Sequence, residues 1–340
     1  MKKTFLVILV ILLIFVLFSA WKVFGPSVSI PEEKFLYIRT GETFAQMRQD
    51  LVSKKIISSG RWFDLVAGAL KFQMAKAGKY EIKKSMSLFE LVRILKNGRQ
   101  TPVNLTITKL RLKEDFARKL GQQFEFDSLA AIQFLNNNDS LKAFGLDSNT
   151  VMAAVMPDTY SYFWNSSPEK VFKKLYDHWQ KFWNEQRKRK ANAIQLTPVQ
   201  VSILASIVDE ESNSKTEKQK ISSVYINRLH RNMNMQACPT IKFALKDFAL
   251  KRIYEKHLTV QSPYNTYTNT GLPPGPVCTP QPETIDIVLN APQTDYLYFV
   301  ANSDFSGTHI YSSNYADHLK LAKKFAAAQD RQDSIRKATH

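Results

Sequence analysis

The chain has 340 residues, 44% of them hydrophobic, and 47 Lys and Arg against 30 Asp and Glu, for a net charge of +17. The length fits about two domains, and the apolar content is that of a globular protein with room for a sizeable core. The charge calls for a polyanionic neighbour: nucleic acid, anionic lipid, or an acidic polymer such as a bacterial cell wall.

The N-terminus narrows that choice. Met1-Lys2-Lys3 precedes an apolar run from Phe5 to Trp21 that only Ser19 interrupts. At about 1.5 Å per residue such a helix comes close to crossing a hydrocarbon core of roughly 30 Å. Two leading lysines favour a cytoplasmic N-terminus, which places everything after the run outside the cytosol. A cleaved signal peptide is the competing reading, but the run is long for one and no A-x-A site follows it. Residues 1–21 are therefore expected to be a transmembrane anchor in the plasma (inner) membrane. The extracytoplasmic location argues against nucleic acid as the partner.

Residues 22–34, with Pro26 and Pro31, are expected to be a short linker. Residues 35–100 alternate short strands and helices. Leu36–Gly41 is a short alternating segment, and Thr40-Gly41-Glu42-Thr43 starts a helix with Phe44, Met47 and Leu51 on one face. A second helix is expected around Trp62–Leu70, and a strand over Gly78–Ile82. Ser87-Leu88-Phe89-Glu90 has the form of a capping box, with Gly98 as the C-cap. Residues 101–195 form a connecting α/β region. It holds a strand over Val103–Thr108, a helix from Lys113, a turn at Pro157–Tyr160 leading into an aromatic patch, and one long amphipathic helix over 167–195. The Lys/Arg cluster Arg187–Lys190 is expected at a solvated end of that helix.

From Thr197 the pattern becomes more informative. Thr197-Pro198 is an N-cap with proline at N1. The helix it opens runs to about Ser212, and a second spans about Lys215–His230. A Pro/Gly-punctuated loop covers Ser262–Pro282, Tyr296–Ala301 and His309–Ser312 are strand-like, and residues 326–340 are a charged helical tail. In the helix from Pro198, Glu211 extends the apolar stripe of Leu204, Ile207 and Val208. A carboxylate on an apolar face resists ionisation, so its pKa should rise toward that of a general acid working at neutral pH. Asp209 and Glu210 fall on neighbouring faces and are expected to be solvated or capping. Asn227 and Arg228 on the next helix carry groups suited to sugar hydroxyls, acetamido groups and carboxylates. In the loop Ser262-Pro263-Tyr264-Asn265-Thr266-Tyr267, two tyrosines flank polar residues and would suit sugar rings. His309 reads as a packing or edge residue. No H-E-x-x-H or C-x-x-C is present, so neither a metal nor another cofactor is expected. The two cysteines, Cys238 and Cys278, could pair outside the cytosol or remain as free buried thiols.

Several motifs occur together and in order. They are Pro157-Asp158-Thr159-Tyr160, Ala205-Ser206-Ile207-Val208-Asp209-Glu210-Glu211-Ser212, Val224-Tyr225-Ile226-Asn227-Arg228-Leu229 and Met235-Gln236-Ala237-Cys238-Pro239-Thr240. Ser262–Tyr267, Gly271-Leu272-Pro273-Pro274-Gly275-Pro276 and Tyr296-Leu297-Tyr298-Phe299-Val300-Ala301 follow. Over roughly residues 35–320 the chain resembles the endolytic murein transglycosylase family (MltG, or YceG-like). The resemblance implies an α+β fold: an N-terminal transmembrane helix, a small LysM-like, sugar-binding subdomain over 35–100 and a mixed α+β catalytic domain over 196–325. It implies a lytic transglycosylase that cuts peptidoglycan glycan strands between MurNAc and GlcNAc and leaves 1,6-anhydro-MurNAc ends. The cuts would fall on nascent strands near the membrane, alongside peptidoglycan synthases. Glu211 matches the catalytic glutamate. Gln236 and Thr240 join Asn227, Arg228, Tyr264, Asn265, Thr266 and Tyr267 as expected substrate contacts. Asp209 is a conservative departure from the family pattern, and Cys238 stands where the family usually has Asp. A catalytically silent wall-binding scaffold and a hydrolytic muramidase are the alternative functions.

Overall fold

The computed structural model describes residues 2–338, and the chain divides into two compact units. The first is built from the chain up to Leu105 together with Leu120–Asp127 and Ser161–Ser167. The second holds Thr106–Lys119, Ser128–Tyr160 and the chain from Pro168 onward.

The first unit begins with α1 (Lys2–Phe24), which has no buried residue and is long and apolar enough to cross a membrane. Then come β1 (Phe35–Ile38), α2 (Phe44–Ser53), α3 (Gly60–Ala69), β2 (Gly78–Glu81) and α4 (Leu88–Asn97). β1 and β2 pair antiparallel, with Phe35 opposite Glu81 and Ile38 opposite Gly78. Alternation along β1 sends Leu36 and Ile38 into the core. There they meet Met47 and Leu51 of α2, Phe63 and Val66 of α3, and Leu91 and Leu95 of α4. The helix ends follow local chemistry. Thr43 and Gln46 form a reciprocal capping box, and the Ser87 hydroxyl accepts from the Glu90 amide. Gly98 closes α4 at φ +64, a left-handed conformation that glycine adopts at little cost. The expected linker over 22–34 is in fact docked. The Val28 and Ser29 amides donate to the Met86 and Ile56 carbonyls, and the Val28 side chain is buried.

β3 (Val103–Ile107) follows, then α5 (Lys113–Gln123), α6 (Ser128–Asn136), α7 (Asn138–Lys142), a 3-10 turn (Val151–Ala154) and β4 (Asp158–Tyr162). β3 and β4 make a two-stranded sheet, so Pro157–Tyr160 enters a strand rather than a turn. The Thr106 and Thr159 hydroxyls are 3.0 Å apart. The long helix expected over 167–195 is two helices, α8 (Pro168–Phe182) and α9 (Glu185–Ala193). The break comes from Asn184, whose side chain caps α9 by accepting from the Arg187 amide. The basic cluster is less free than expected, because Arg187 makes a forked pair with Asp286 at 2.7 and 2.9 Å.

The core of the second unit is α10 (Pro198–Glu211), which the Thr197–Gln200 capping box opens. Every residue from Val201 to Asp209 is buried, as expected of a helix enclosed on all sides. α11 (Lys215–His230) packs against it. α12 (Cys238–Leu245) and the short α13 (Glu255–Leu258) lead into the Pro/Gly loop. After the loop, α14 (Pro282–Leu289) packs against both α10 and α11. β5 (Tyr298–Ala301) and β6 (His309–Ser312) pair as an antiparallel hairpin, and α15 (Tyr315–Ala338) lies on it. The charged tail continues α15 to Ala338; Thr339 and His340 lie outside the described residues. The molecule is thus of α+β class with one N-terminal apolar helix.

Candidate active site

Three acids end α10, and the structure gives each a different environment. Asp209 is 3% exposed. Its carboxylate accepts from Lys218 Nζ at 2.5 Å, Thr284 Oγ1 at 2.6 Å and the Gln281 amide at 2.8 Å. It locks α10 to α11 and α14, so the expected solvated role is corrected to a buried hub. Glu210 is also paired rather than solvated, with Arg111 at 2.8 Å and Lys109 at 3.1 Å. Burial would raise its pKa, but those two cations hold it below the ordinary carboxylate range.

Glu211, at the last turn, keeps part of its surface accessible. Burial pushes its pKa up to about 7, against the opposing pull of the Tyr225 hydroxyl and Lys242 and with a small upward push from Glu210. Tyr225 donates to Glu211 Oε1 at 2.6 Å. No hydrogen bond from the described residues reaches Oε2. One oxygen is therefore held by Tyr225. Cys238 and Tyr267 lie near enough for the Glu211 charge to raise the pKa of each, and the Cys238 thiol and Tyr267 hydroxyl are 3.3 Å apart. The Glu211 carboxyl thus lies within electrostatic reach of Tyr267, the last residue of the Tyr264–Tyr267 segment.

The remaining predicted contacts divide into frame and surface. Asn227 donates its amide to the Thr294 and Tyr296 carbonyls, both at 2.9 Å. Buried Arg228 clamps the Leu297, Asn234 and Met235 carbonyls. Thr240 and Thr266 are buried with their hydroxyls 2.8 Å apart, and Asn265 donates to the Leu258 and Val260 carbonyls. In this structure the polar atoms of these five residues, expected as substrate contacts, are engaged in fixing the backbone. Tyr264 packs its ring on Phe243 at 4.6 Å. The approach beside it is tight: a Cβ on Gly275 would fall 2.0 Å from the Asn149 carbonyl oxygen, which only glycine avoids. Gln236 is exposed at φ +54, with its side-chain oxygen on Arg228. Of the predicted set Gln236 is the exposed member, while Glu211, Asn227, Tyr264 and Tyr267 are half-buried.

Sequence reasoning missed the opposite side. Burial and then Glu217 raise the Tyr311 pKa, and the Glu211 charge adds to that rise. Buried Glu217 places one oxygen, Oε2, 2.8 Å from each of the His309 amide, His309 Nδ1 and the Tyr311 hydroxyl. Burial alone would raise the Glu217 pKa, but these partners hold it low. His309 is therefore part of a polar anchor, not a simple packing residue. No motif marked it, since Glu217 and His309 lie far apart in sequence. Lys242 was missed for the same reason: nothing but the fold of α12 brings it toward Glu211.

Two expected results follow from this geometry. Tyr225→Phe removes a donor that favours the ionised carboxyl. The Glu211 pKa should therefore rise further, and the alkaline limb of the activity profile should move to higher pH. A pH–rate profile checks it; an unmoved limb would show that Tyr225 does not bear on the acid. Cys238 and Cys278 are both free, with the Cys278 thiol against the Ser206 carbonyl at 3.4 Å, which rules out the pairing. Chain denatured without reductant should therefore titrate two thiols in a colorimetric thiol assay.

The profile of the YceG-like family matches residues 36–324, and the protein belongs to that family. It is similar to the endolytic murein transglycosylase of Bacillus subtilis strain 168, 26% identical over 336 residues and covering 90% of each chain. The endolytic murein transglycosylase of Streptococcus pneumoniae serotype 2 is 27% identical over 327 residues, covering 86% of this chain and 57% of that one. A 2.6 Å crystal structure of a YceG-like protein from Listeria monocytogenes shares the fold at TM-score 0.56 and 23% identity, over 85% of this chain and 99% of that one.

Proposed function

We propose that this protein is an endolytic lytic transglycosylase, a lyase that cleaves the MurNAc–GlcNAc bond within peptidoglycan glycan strands. The observation that carries the reading is Glu211: a carboxyl with pKa about 7, tethered through one oxygen by Tyr225 and otherwise unpaired. Near neutral pH such a group holds its proton often enough to donate it and loses it readily enough to take one back. In the forward step Glu211 protonates the glycosidic oxygen as the bond to MurNAc C1 breaks. The carboxylate then accepts the proton of the MurNAc C6 hydroxyl while that oxygen bonds to C1 and closes the 1,6-anhydro ring. No water enters, so one acid suffices, unlike the two-carboxylate scheme of most glycosidases. The engagement of Asp209 and Glu210 in ion pairs supports this economy, since neither is left to act as a nucleophile.

Gln236, Tyr267 and Tyr311 present polar edges and aromatic faces around the free oxygen and are the side chains best suited to hold the sugar rings. Cys238, at the position of the usual Asp, offers the substrate a neutral thiol there. α1 anchors the chain in the plasma membrane with the catalytic part outside, where cuts would terminate nascent strands beside the synthases. The first unit, with its β-α-α-β order, supplies a LysM-like grip on glycan, and the positive charge of the chain assists docking onto anionic wall material.

Mass spectrometry of products from purified peptidoglycan tests the reading. Anhydro-MurNAc ends are the expected result. Reducing ends would make the protein a muramidase, and intact strands that still bind it would make it a scaffold.

A further inference from the structure

α3 is apolar on two opposite faces. Phe63, Val66 and Ala67 are buried in the core of the first unit. Leu65, 60% exposed, and exposed Ala69 point the other way. In water that second face has nothing to bury against. Its neighbour is α1: Trp62 meets Phe18 edge-on with ring centroids 6.4 Å apart. Between the helices lies a cavity of about 530 Å³, walled by Phe15, Ser19 and Val23 of α1, Leu65 and Ala69 of α3 and Phe89 of α4. Apart from Ser19 these lining residues are hydrocarbon or aromatic.

The depth of this cavity can be read from α1. Trp21 and Lys22, with the Lys22 ammonium 5.4 Å from the Trp21 ring, are the pair that marks a membrane–water boundary. Phe15 lies about 10 Å further along the helix, inside the hydrocarbon. The cavity therefore runs from that boundary, at Val23, down to Phe15, where acyl chains are the solvent. Arg61 and Lys71, exposed at the two ends of α3, suit anionic headgroups at the surface above.

We propose that the groove between α1 and α3 is a lipid site, occupied by an acyl chain of a phospholipid in the outer leaflet, and that α3 lies within the membrane interface. The inference rests on α1 spanning the bilayer. It is independent of the chemistry at Glu211. Because α1, α3 and α4 belong to one unit, a chain seated there fastens that unit to the membrane surface instead of leaving it on a free stalk.

The test is photolabelling of the full chain in vesicles of phosphatidylethanolamine and phosphatidylglycerol. The vesicles are doped with a phospholipid carrying a diazirine in its acyl chain, and adducts are mapped by mass spectrometry. Adducts on Leu65, Ala69 and Phe89 as well as on α1 are expected. Ala69→Trp, which fills the groove from its open side, and Leu65→Glu should each lose the α3 and α4 adducts while those on Leu9–Leu12 persist. Adducts confined to α1 would overturn the lipid site and leave the anchor standing. Cross-links from these positions to a second chain would also overturn it, by assigning the groove to a partner copy. A chain unlabelled even on α1 would refute the anchor itself, and the lipid site with it. Anhydro-product analysis would be unaffected in every case, which separates this inference from the catalytic reading.

Discussion

Glu211→Gln is expected to lower glycan cleavage by about 10²- to 10⁴-fold, the contribution of a positioned general acid–base. The variant should still fold and still bind peptidoglycan, because glutamine keeps the volume and can still accept from Tyr225. Stability should move the other way. Burial pushes the pKa of the folded carboxyl up to about 7, against 4.5 for an ordinary glutamate. Between those pH values the folded chain holds a proton that the unfolded chain has released, so stability falls as pH rises through that window and then levels. Glutamine cannot ionise. Relative to the native chain, the variant should therefore gain stability from pH 4.5 upward, reaching about 3 kcal/mol above pH 7. Thermal melts at pH 4 and pH 8 check the gain, and product release from purified peptidoglycan checks the loss. Retention of full activity in the glutamine variant would remove Glu211 from the mechanism.

The second large effect is expected at Asp209. Asp209→Ala leaves Lys218, whose side chain is 12% exposed, without its counter-ion, and leaves the Gln281 amide and Thr284 hydroxyl without their acceptor. Removing one partner of a buried pair costs about 3–5 kcal/mol. For a unit of this size that is a fall in melting temperature of roughly 10 °C. Replacing both partners by apolar residues, Asp209→Leu with Lys218→Met, should restore much of the loss, because no unpaired charge is then left behind. A single replacement that melts like the native chain would show that the hub does not hold α10 to α14.

The elements that local chemistry dictates were legible in the sequence. The caps at Thr43, Ser87 and Thr197, the left-handed Gly98 and the ends of α11 follow from residues within one turn. The raised carboxyl at position 211 was legible for a similar reason, since helical spacing alone puts it at the end of a buried stripe. Long-range pairing was not legible. Asp209 and Glu210 read as solvated because their partners, Lys218 with Thr284 and Lys109 with Arg111, come from other elements. The backbone contacts of Asn227 and Arg228 were not legible either, because three of the carbonyls they hold, those of Thr294, Tyr296 and Leu297, lie some seventy positions away. The break at Asn184 was missed because a cap inside a strongly amphipathic run is outweighed by the periodicity around it.

α11 carries both Tyr225, which holds the acid, and Glu217, which fastens the β5–β6 hairpin. They are eight positions apart, about 12 Å along the axis. Adding or deleting a single residue between them would turn one by about 100° relative to the other. Substitutions can thus be absorbed in this stretch more readily than changes in its length. Related chains that have altered their cleavage chemistry should keep this interval intact, and those that have gained or lost a residue within it should have lost catalysis altogether.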